Sequence, residues 1–515
     1  MNFKSQSPLF YYFLFLTLLG LLIVFLGINR GFDVSDEGLY LLLLEPTQAN
    51  EGGIYNYDLF FKLFYKITGL EFGIIGSRIL RLISYLIGAY ALTQFWKDIH
   101  KEKQLNILVF LIATMGLFSG YAFLPPSLSY NSLSVVLACL WLSLIFKNFP
   151  DFFHTICLGL VLALFFYVKI TVVLTIGFLT LVLFISRKQM NWKRLFLLLL
   201  PLFLLEGIFY LVFSESGMTR LQDGFQIMAN RTDYNWLNIL KNNLVGVYWS
   251  ILVFIPFFLI QKIQSKFKFV LILLPLVFSI WIFKKTMITD EWMHLLLIGT
   301  LSILAWLVGN LSLKKINNSK KSIFLILMLL PFALHFGSNV YFMRLGIHYW
   351  VFWVVALLLI IDFEKSPNQK KIILLLPVSS LILLFNGIWL QPFGQINLSN
   401  FNQVWEYKKD RRIYLTEEMV ETLEDVKLKI QDAGKGEVLA VYRNPGWLVL
   451  LGRTSPKSPG IWDLDQLQSF FPNFPSGFNF ILYFPYQPLP DNISKDFDLK
   501  KYDIAQGEIN LLWKK

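Results

Sequence analysis

The chain has 515 residues, 56% of them hydrophobic and only 16% charged, against roughly a quarter charged in an average soluble domain. Apolar runs of about 18–20 residues recur from end to end, each long enough to cross the hydrocarbon core of a bilayer, which excludes an ordinary soluble domain. The net charge of +12 is uneven: short basic loops alternate with mixed or acidic ones, the pattern of the positive-inside rule, and no nucleic-acid partner is needed to explain it.

The first apolar run, residues 8–28, has no small-residue cleavage site and reads as a retained helix. "GFDVSDEGLYLLLLE" (31–45) follows at once and sets Asp33, Asp36 and Glu37 beside it. Acids are favoured at the positive end of a helix, so Ser35, Asp36 and Glu37 fit the cap of a juxtamembrane helix; they also fit acid–base chemistry. The next stretch, 29–78, is longer than a turn. Within it "LFFKLFYKI" (59–67) has the spacing of an interfacial amphipathic helix.

Further spans are expected at 79–96, 104–121, 131–147, 152–168, 171–186, 195–213, 245–261, 269–284, 294–312, 322–340, 349–361 and 372–389, which with the first makes thirteen. "FFYVKITVV" interrupts the middle of this series, and Lys169 is costly in lipid. We read it as a tight turn between two helices rather than one kinked helix, because a single helix would reverse the face of every later basic loop. The basic set at 97–103, 147–151, 187–194, 262–268, 314–321 and 362–371, with Lys4, carries 19 Lys and Arg against 5 Asp and Glu. It is expected to be cytoplasmic, with 29–78, 214–243 and 284–294 on the other face. In the last of these, Asp290 and Glu291 are expected to pair with Lys284 or Lys285.

Beyond about residue 390 no spanning run remains. "TEEMVETLEDVKLKIQ" (416–431) reads as an amphipathic helix with Thr416 as its cap. "EVLAVYR" (437–443) and "FNFILYFPY" (478–486) read as strands. The expected architecture is an all-α polytopic membrane bundle over residues 1–390 and a small extracytoplasmic α/β domain over 391–515. Cys139 and Cys157 lie in apolar runs and offer neither a disulfide framework nor metal-ligand spacing. His294, His335 and His348 sit at or near external helix ends. No P-loop, dinucleotide fingerprint, HExxH or GxSxG motif is present.

What does stand out is the collection of ionisable residues on the outer face, with acids in 29–78 opposite bases from later loops. Several stretches carry a resemblance: the "DE" pair at Asp36 and Glu37, the layout of "YNYDLFFKLFYKITGLEFGIIGSRILRLISYLIGAY" (55–90), "LGLVLALFFYVKITVVL" (158–174) with Lys169, and "GSNVYFMRLGIHYW" (337–350). The chain resembles the GT-C superfamily of membrane glycosyltransferases, which includes protein O-mannosyltransferases and lipid A aminoarabinose transferases. The resemblance implies an inverting transfer from a polyprenyl-phosphate sugar to a hydroxyl of a glycan, lipid or protein acceptor, at the outer face of a bacterial plasma (inner) membrane. It implies Asp36 as base with Glu37 orienting it or binding sugar, and Lys169 and Arg344 as donor-phosphate ligands. Asp58, Arg220, Arg231 and His348 are further substrate-binding candidates. The scheme requires no metal or other cofactor. The alternatives are a transporter or flippase for lipid-linked saccharides, which predicts charges near the midplane of broken helices, and a non-catalytic assembly factor of envelope glycan synthesis built on the same fold.

Overall fold

A computed structural model describes residues 8–515 apart from 148–150, 230–235, 265–266, 289–290, 312–317, 365–370, 433–436, 486–488, 490–492, 494–495 and 506. The chain is mostly helical. Helices α1 (Pro8–Gly27), α2 (Asp36–Leu44), α3 (Asp58–Thr68), α4 (Gly73–His100), α5 (Ile107–Phe118), α6 (Tyr130–Ile145), α7 (Phe152–Val168), α8 (Ile170–Ser186) and α9 (Trp192–Phe213) come first. Then follow α10 (Gly217–Ala229), α11 (Trp236–Lys262), α12 (Leu273–Thr286), α13 (Leu295–Asn310), α14 (Asn318–His335), α15 (Trp350–Glu364) and α16 (Leu375–Phe385). A helix lies in each of the thirteen expected segments. Among the described residues six helical stretches are long and apolar enough to cross a membrane. Two bounds move furthest: α4 begins at Gly73, so Arg78 belongs to a helix rather than a loop, and the helix expected from 245 begins at Trp236.

The break at Lys169 is a hairpin. Lys169 leaves α7 with φ −159° and ψ 97°, ahead of a run of β-branched residues that favour extended backbone. Trp141 Nε1 donates to Thr180 Oγ1 (2.8 Å) and Arg187 Nη1 to Ile145 O (2.6 Å), so α6 and α8 run parallel. A Cβ on Gly159 would meet Leu198, and the Tyr167 hydroxyl donates to Glu206, so α7 and α9 also run parallel. Two such pairs require α8 to return along the bundle. Lys169 therefore lies at one end, while at the other Arg187 reaches Ile145 O, His100 contacts Asp362 (3.1 Å) and the Tyr12 hydroxyl donates to Leu374 O.

The C-terminal segment forms two sheets. Strands β1 (Gln403–Lys408) and β2 (Arg411–Leu415) make a hairpin missed in the sequence, and Tyr414 bonds back to Asn29 and Gly31. Strands β3 (Glu437–Val441), β4 (Phe478–Tyr483), β5 (Phe497–Ile504) and β6 (Gly507–Lys514) form a mixed sheet in the order β3-β4-β6-β5, with β3 and β4 parallel. Helix α17 (Glu417–Asp432) packs its apolar stripe of Met419, Leu423 and Val426 into the same core. That core also takes Phe32, Val34, Leu41 and Ile74, so the segment after residue 390 and the stretch 29–78 bury one apolar surface together.

The closest approach is backbone on backbone. Gly446 N donates to Val34 O (2.8 Å), and a Cβ on Gly38 would lie 2.3 Å from Gly446 N. Neither partner can swing aside as a side-chain tip would. Gly38→Ala is expected to cost about 1–3 kcal/mol through overpacking, read as a lower melting temperature of the detergent-purified protein. Gly177→Ala, in open space on α8, is the control and should melt no lower than the parent.

Candidate functional site

The first turn of α2 is capped from outside. Ser35 stands at the N-cap but its side chain makes no cap bond. Asp33 takes that role: its carboxylate accepts from Glu37 N (3.0 Å) and Ser35 N (3.2 Å), and Asp33 N donates back to Glu37 Oε2 (3.2 Å). Two orphan donors of the helix start are satisfied reciprocally, as in a capping box. Burial and the neighbouring Asp36 charge hold the Asp33 carboxyl well above the usual carboxylate range.

Glu37 is fully buried and fully used. Arg78 Nε donates to its Oε1 (2.8 Å) and Arg78 Nη2 to its Oε2 (2.9 Å). The Ser127 hydroxyl donates to Oε1, and Asp33 N to Oε2. Each carboxylate oxygen thus accepts two bonds, its full capacity, which leaves Glu37 no acceptor for a sugar. Arg78 spends its other donors on Ile28 O (2.9 Å), Arg30 O (2.9 Å) and Gly31 O (2.7 Å), so all five N–H groups are satisfied. One turn on, Arg81 bonds Gly120 O (2.7 Å) and Pro125 O and lies over the Tyr121 ring. Two arginines of α4 therefore fix the acidic stretch and the 119–127 segment against each other.

Asp36 contrasts with both neighbours. It is partly exposed, and among the described residues its carboxylate makes no hydrogen bond or ion pair. Burial pushes its carboxyl up to about 6, while the Arg443 and Arg344 guanidiniums act to lower it. The two successive acids of α2 point about 100° apart, so one is consumed by structure and the other is presented. Along the helix Tyr40 and Leu43 share the Asp36 face. Tyr40 meets the Tyr130 ring edge-on at 5.9 Å, and Tyr130 stacks on Tyr55 at 4.1 Å. Lys169 Nζ lies 6.0 Å from the Tyr130 ring centre.

The remaining sequence candidates divide by partner. Lys169 is buried and donates to Leu334 O (3.1 Å); burial lowers its ammonium to about 7. Arg344 makes a bidentate pair with Glu291 (2.6 Å for both bonds) and lies over Phe123. Glu291 thus pairs across the bundle end rather than with Lys284 or Lys285, and Asp290 lies outside the described residues. Arg220 and Asp58 bind each other: Arg220 Nη1 reaches both Asp58 oxygens (2.7 and 2.8 Å), and its other nitrogens hold Glu215. Asp58 also accepts from Asn50 (3.1 Å) and pairs with Lys62. This cluster ties α3 to α10, with the Arg220–Asp58 pair buried and Glu215 at its exposed edge. His348 is buried, with Nδ1 against Gly120 and the Phe123 backbone as its polar neighbour. Arg231 lies outside the described residues.

A cleft of about 100 Å³ runs beside α2, between Leu39, Leu43, Asn50, Tyr55, Ser458, Trp462 and Gln466. Its walls come from 29–78 and the C-terminal segment, and they mix aromatic faces with amide and hydroxyl groups. A larger polar cavity of about 450 Å³ opens at the other end of α2, between Glu45, Lys408, Glu437 and Arg453. Arg443, Trp462 and Ser127 escaped the sequence reading. Arg443 sits in "VYRNPG", which read as the end of a strand; its backbone instead turns left-handed there, with φ of 61° at Tyr442 and 68° at Arg443. Among the described residues no three of His, Cys, Asp and Glu converge closely enough to hold a metal ion. The chain matches no protein-family model, and no curated protein matches it in sequence.

Glu37→Gln keeps the shape and removes the charge, leaving Arg78 buried without a counter-ion. We expect a loss of about 3–5 kcal/mol in unfolding free energy. The half-open Arg344–Glu291 pair should cost no more than about 1 kcal/mol when Arg344 is changed to Gln. Chemical denaturation of both variants in one detergent checks the ranking.

Proposed function

We propose that this chain is an inverting membrane glycosyltransferase that moves a sugar from a polyprenyl-phosphate donor to an acceptor hydroxyl on the outer face of the membrane. The carrying observation is Asp36: an unpartnered, partly exposed carboxylate set on a rigidly capped helix, beside two arginines. A carboxyl near 6 is mostly ionised at neutral pH and is a stronger base than an ordinary Asp. In the reaction the acceptor O–H bond breaks as its proton passes to Asp36. The acceptor oxygen bonds the anomeric carbon from the face opposite the phosphate. The bond from that carbon to the phosphate oxygen then breaks, and the lipid phosphate leaves with the electron pair. Cations at the departing oxygen stabilise its growing charge.

Two further features support the reading. The cleft beside α2 offers Tyr55 and Trp462 as stacking faces and Asn50 and Gln466 as polar wall for an acceptor. An apolar groove of about 470 Å³ runs between α11, α12 and α13 from Leu295 to Trp306. It starts at the end of α13 nearest Arg344 and Glu291 and suits a prenyl tail lying in the bilayer. In this scheme all thirteen helical segments span, the basic end faces the cytoplasm, and the C-terminal segment lies outside.

Asp36→Asn is expected to lower transfer by about 10²–10⁴-fold while leaving expression and donor binding intact; full activity removes Asp36 as the base. Because the base form is the ionised one, the parent rate should fall as pH drops through about 6. Arg443, Arg344, Asp33 and Tyr40 are the charged and titratable groups facing Asp36, and the limb should vanish in the Asn variant. Orientation has its own check, on a background with Cys139 and Cys157 replaced. Lys409→Cys should react with an impermeant maleimide on intact cells and Lys188→Cys only after permeabilisation; the reverse pattern sinks the scheme.

A further inference from the structure

The candidate cations are not equally available. Arg344 is held by Glu291, Arg220 by Asp58 and Glu215, Arg78 by Glu37, and Lys169 is buried against Leu334 O. Arg443 is exposed, and among the described residues its guanidinium makes no hydrogen bond or ion pair.

Its backbone is nonetheless fixed. Tyr442 N and Arg443 N both donate to Ile461 O (2.9 and 3.2 Å). Tyr442 and Arg443 adopt consecutive left-handed conformations, which cost of order 1–3 kcal/mol each for residues with side chains. Three residues on, Gly446 bonds Val34 O, two residues before Asp36. Between them Asn444 is wholly buried with neither Oδ1 nor Nδ2 bonded. The loop is thus braced against the start of α2, and its one charged side chain is left open at the base.

We infer that Arg443, carried by the C-terminal segment, binds the anionic phosphate oxygens of the substrate at this site. This rests on the glycosyl-transfer reading for its place in a reaction, but the binding itself stands apart from it. A guanidinium presents a planar fork of N–H donors that matches two phosphate oxygens at once. Unlike Arg344, Arg220, Arg78 and Lys169, it can take up a leaving phosphate without first giving up an internal partner. The C-terminal segment then forms part of the site and is not a separate accessory domain.

The test uses the full-length protein in nanodiscs and three probes: farnesyl phosphate, farnesol and inorganic phosphate, with binding followed by calorimetry. The parent should bind farnesyl phosphate more tightly than farnesol. Arg443→Gln should weaken farnesyl phosphate by about tenfold or more, the scale of a lost charged hydrogen bond, and leave farnesol unchanged. Arg443→Lys should fall between the two. Farnesyl phosphate favoured over inorganic phosphate assigns the anion to a lipid-linked donor; equal binding of the two assigns it to a free phosphate group on another substrate. Undiminished farnesyl phosphate affinity in Arg443→Gln, or no phosphate-dependent binding by the parent, overturns the inference. Asp36→Asn should keep the binding, so loss of the base assignment and loss of the phosphate site are read separately.

Discussion

The buried pair of Glu37 and Arg78 is the interaction on which the end of the bundle that carries α2 depends. Removing both charges from water costs several kcal/mol per ion, and attraction offsets this only where geometry is good and every remaining donor and acceptor is met. Here both conditions hold: five N–H groups of Arg78 and four acceptor positions of Glu37 are taken up. Because the partners come from α4, from the 28–31 turn and from the segment before α6, satisfying this one pair sets three parts of the chain in register. The start of α2 follows from it, since Asp33 and Glu37 then cap that helix reciprocally.

A fixed α2 has two consequences for chemistry. It turns Asp36 away from the ion pair that absorbs its neighbour, and it gives the C-terminal segment a rigid surface to dock on through Gly38 and Gly446. The shared core of Phe32, Val34 and Leu41 with Trp447 and Leu448 makes that docking an apolar contact rather than a loose tether. Asp36, the cleft beside α2 and Arg443 draw on separated stretches of sequence, and the docking of the C-terminal segment on α2 is what brings those stretches together. In the proposed enzyme the C-terminal segment therefore works as one wall of the site.

Much of the scaffold was legible in the residues. Apolar runs of bilayer length mark helices because a helix is the arrangement that satisfies its backbone without water. Lys169 marked a break because a charge is expensive in such a run. The helix at 417–432 showed through its stripe and acids. Less legible were the two hairpins of the C-terminal segment: Gln403–Lys408 carries alternate burial on only part of its length, and Phe497–Ile504 is largely exposed. Weak alternation leaves little period to read. Among charged residues the sequence singled out types but not partners. Arg220, Asp58, Arg344 and Glu291 have the chemistry of a site, yet each finds an opposite charge from a distant segment.

By itself, then, the sequence determined the helical character, the segregation of basic loops and the presence of an acidic pair after the first helix. These depend on local composition and on the cost of burying charge in an apolar run. Tertiary structure decided which of two adjacent acids is free. The 100° step between them points Glu37 into Arg78 and Asp36 toward Arg443, and that choice is made by partners 41 and more than 400 positions away in the chain.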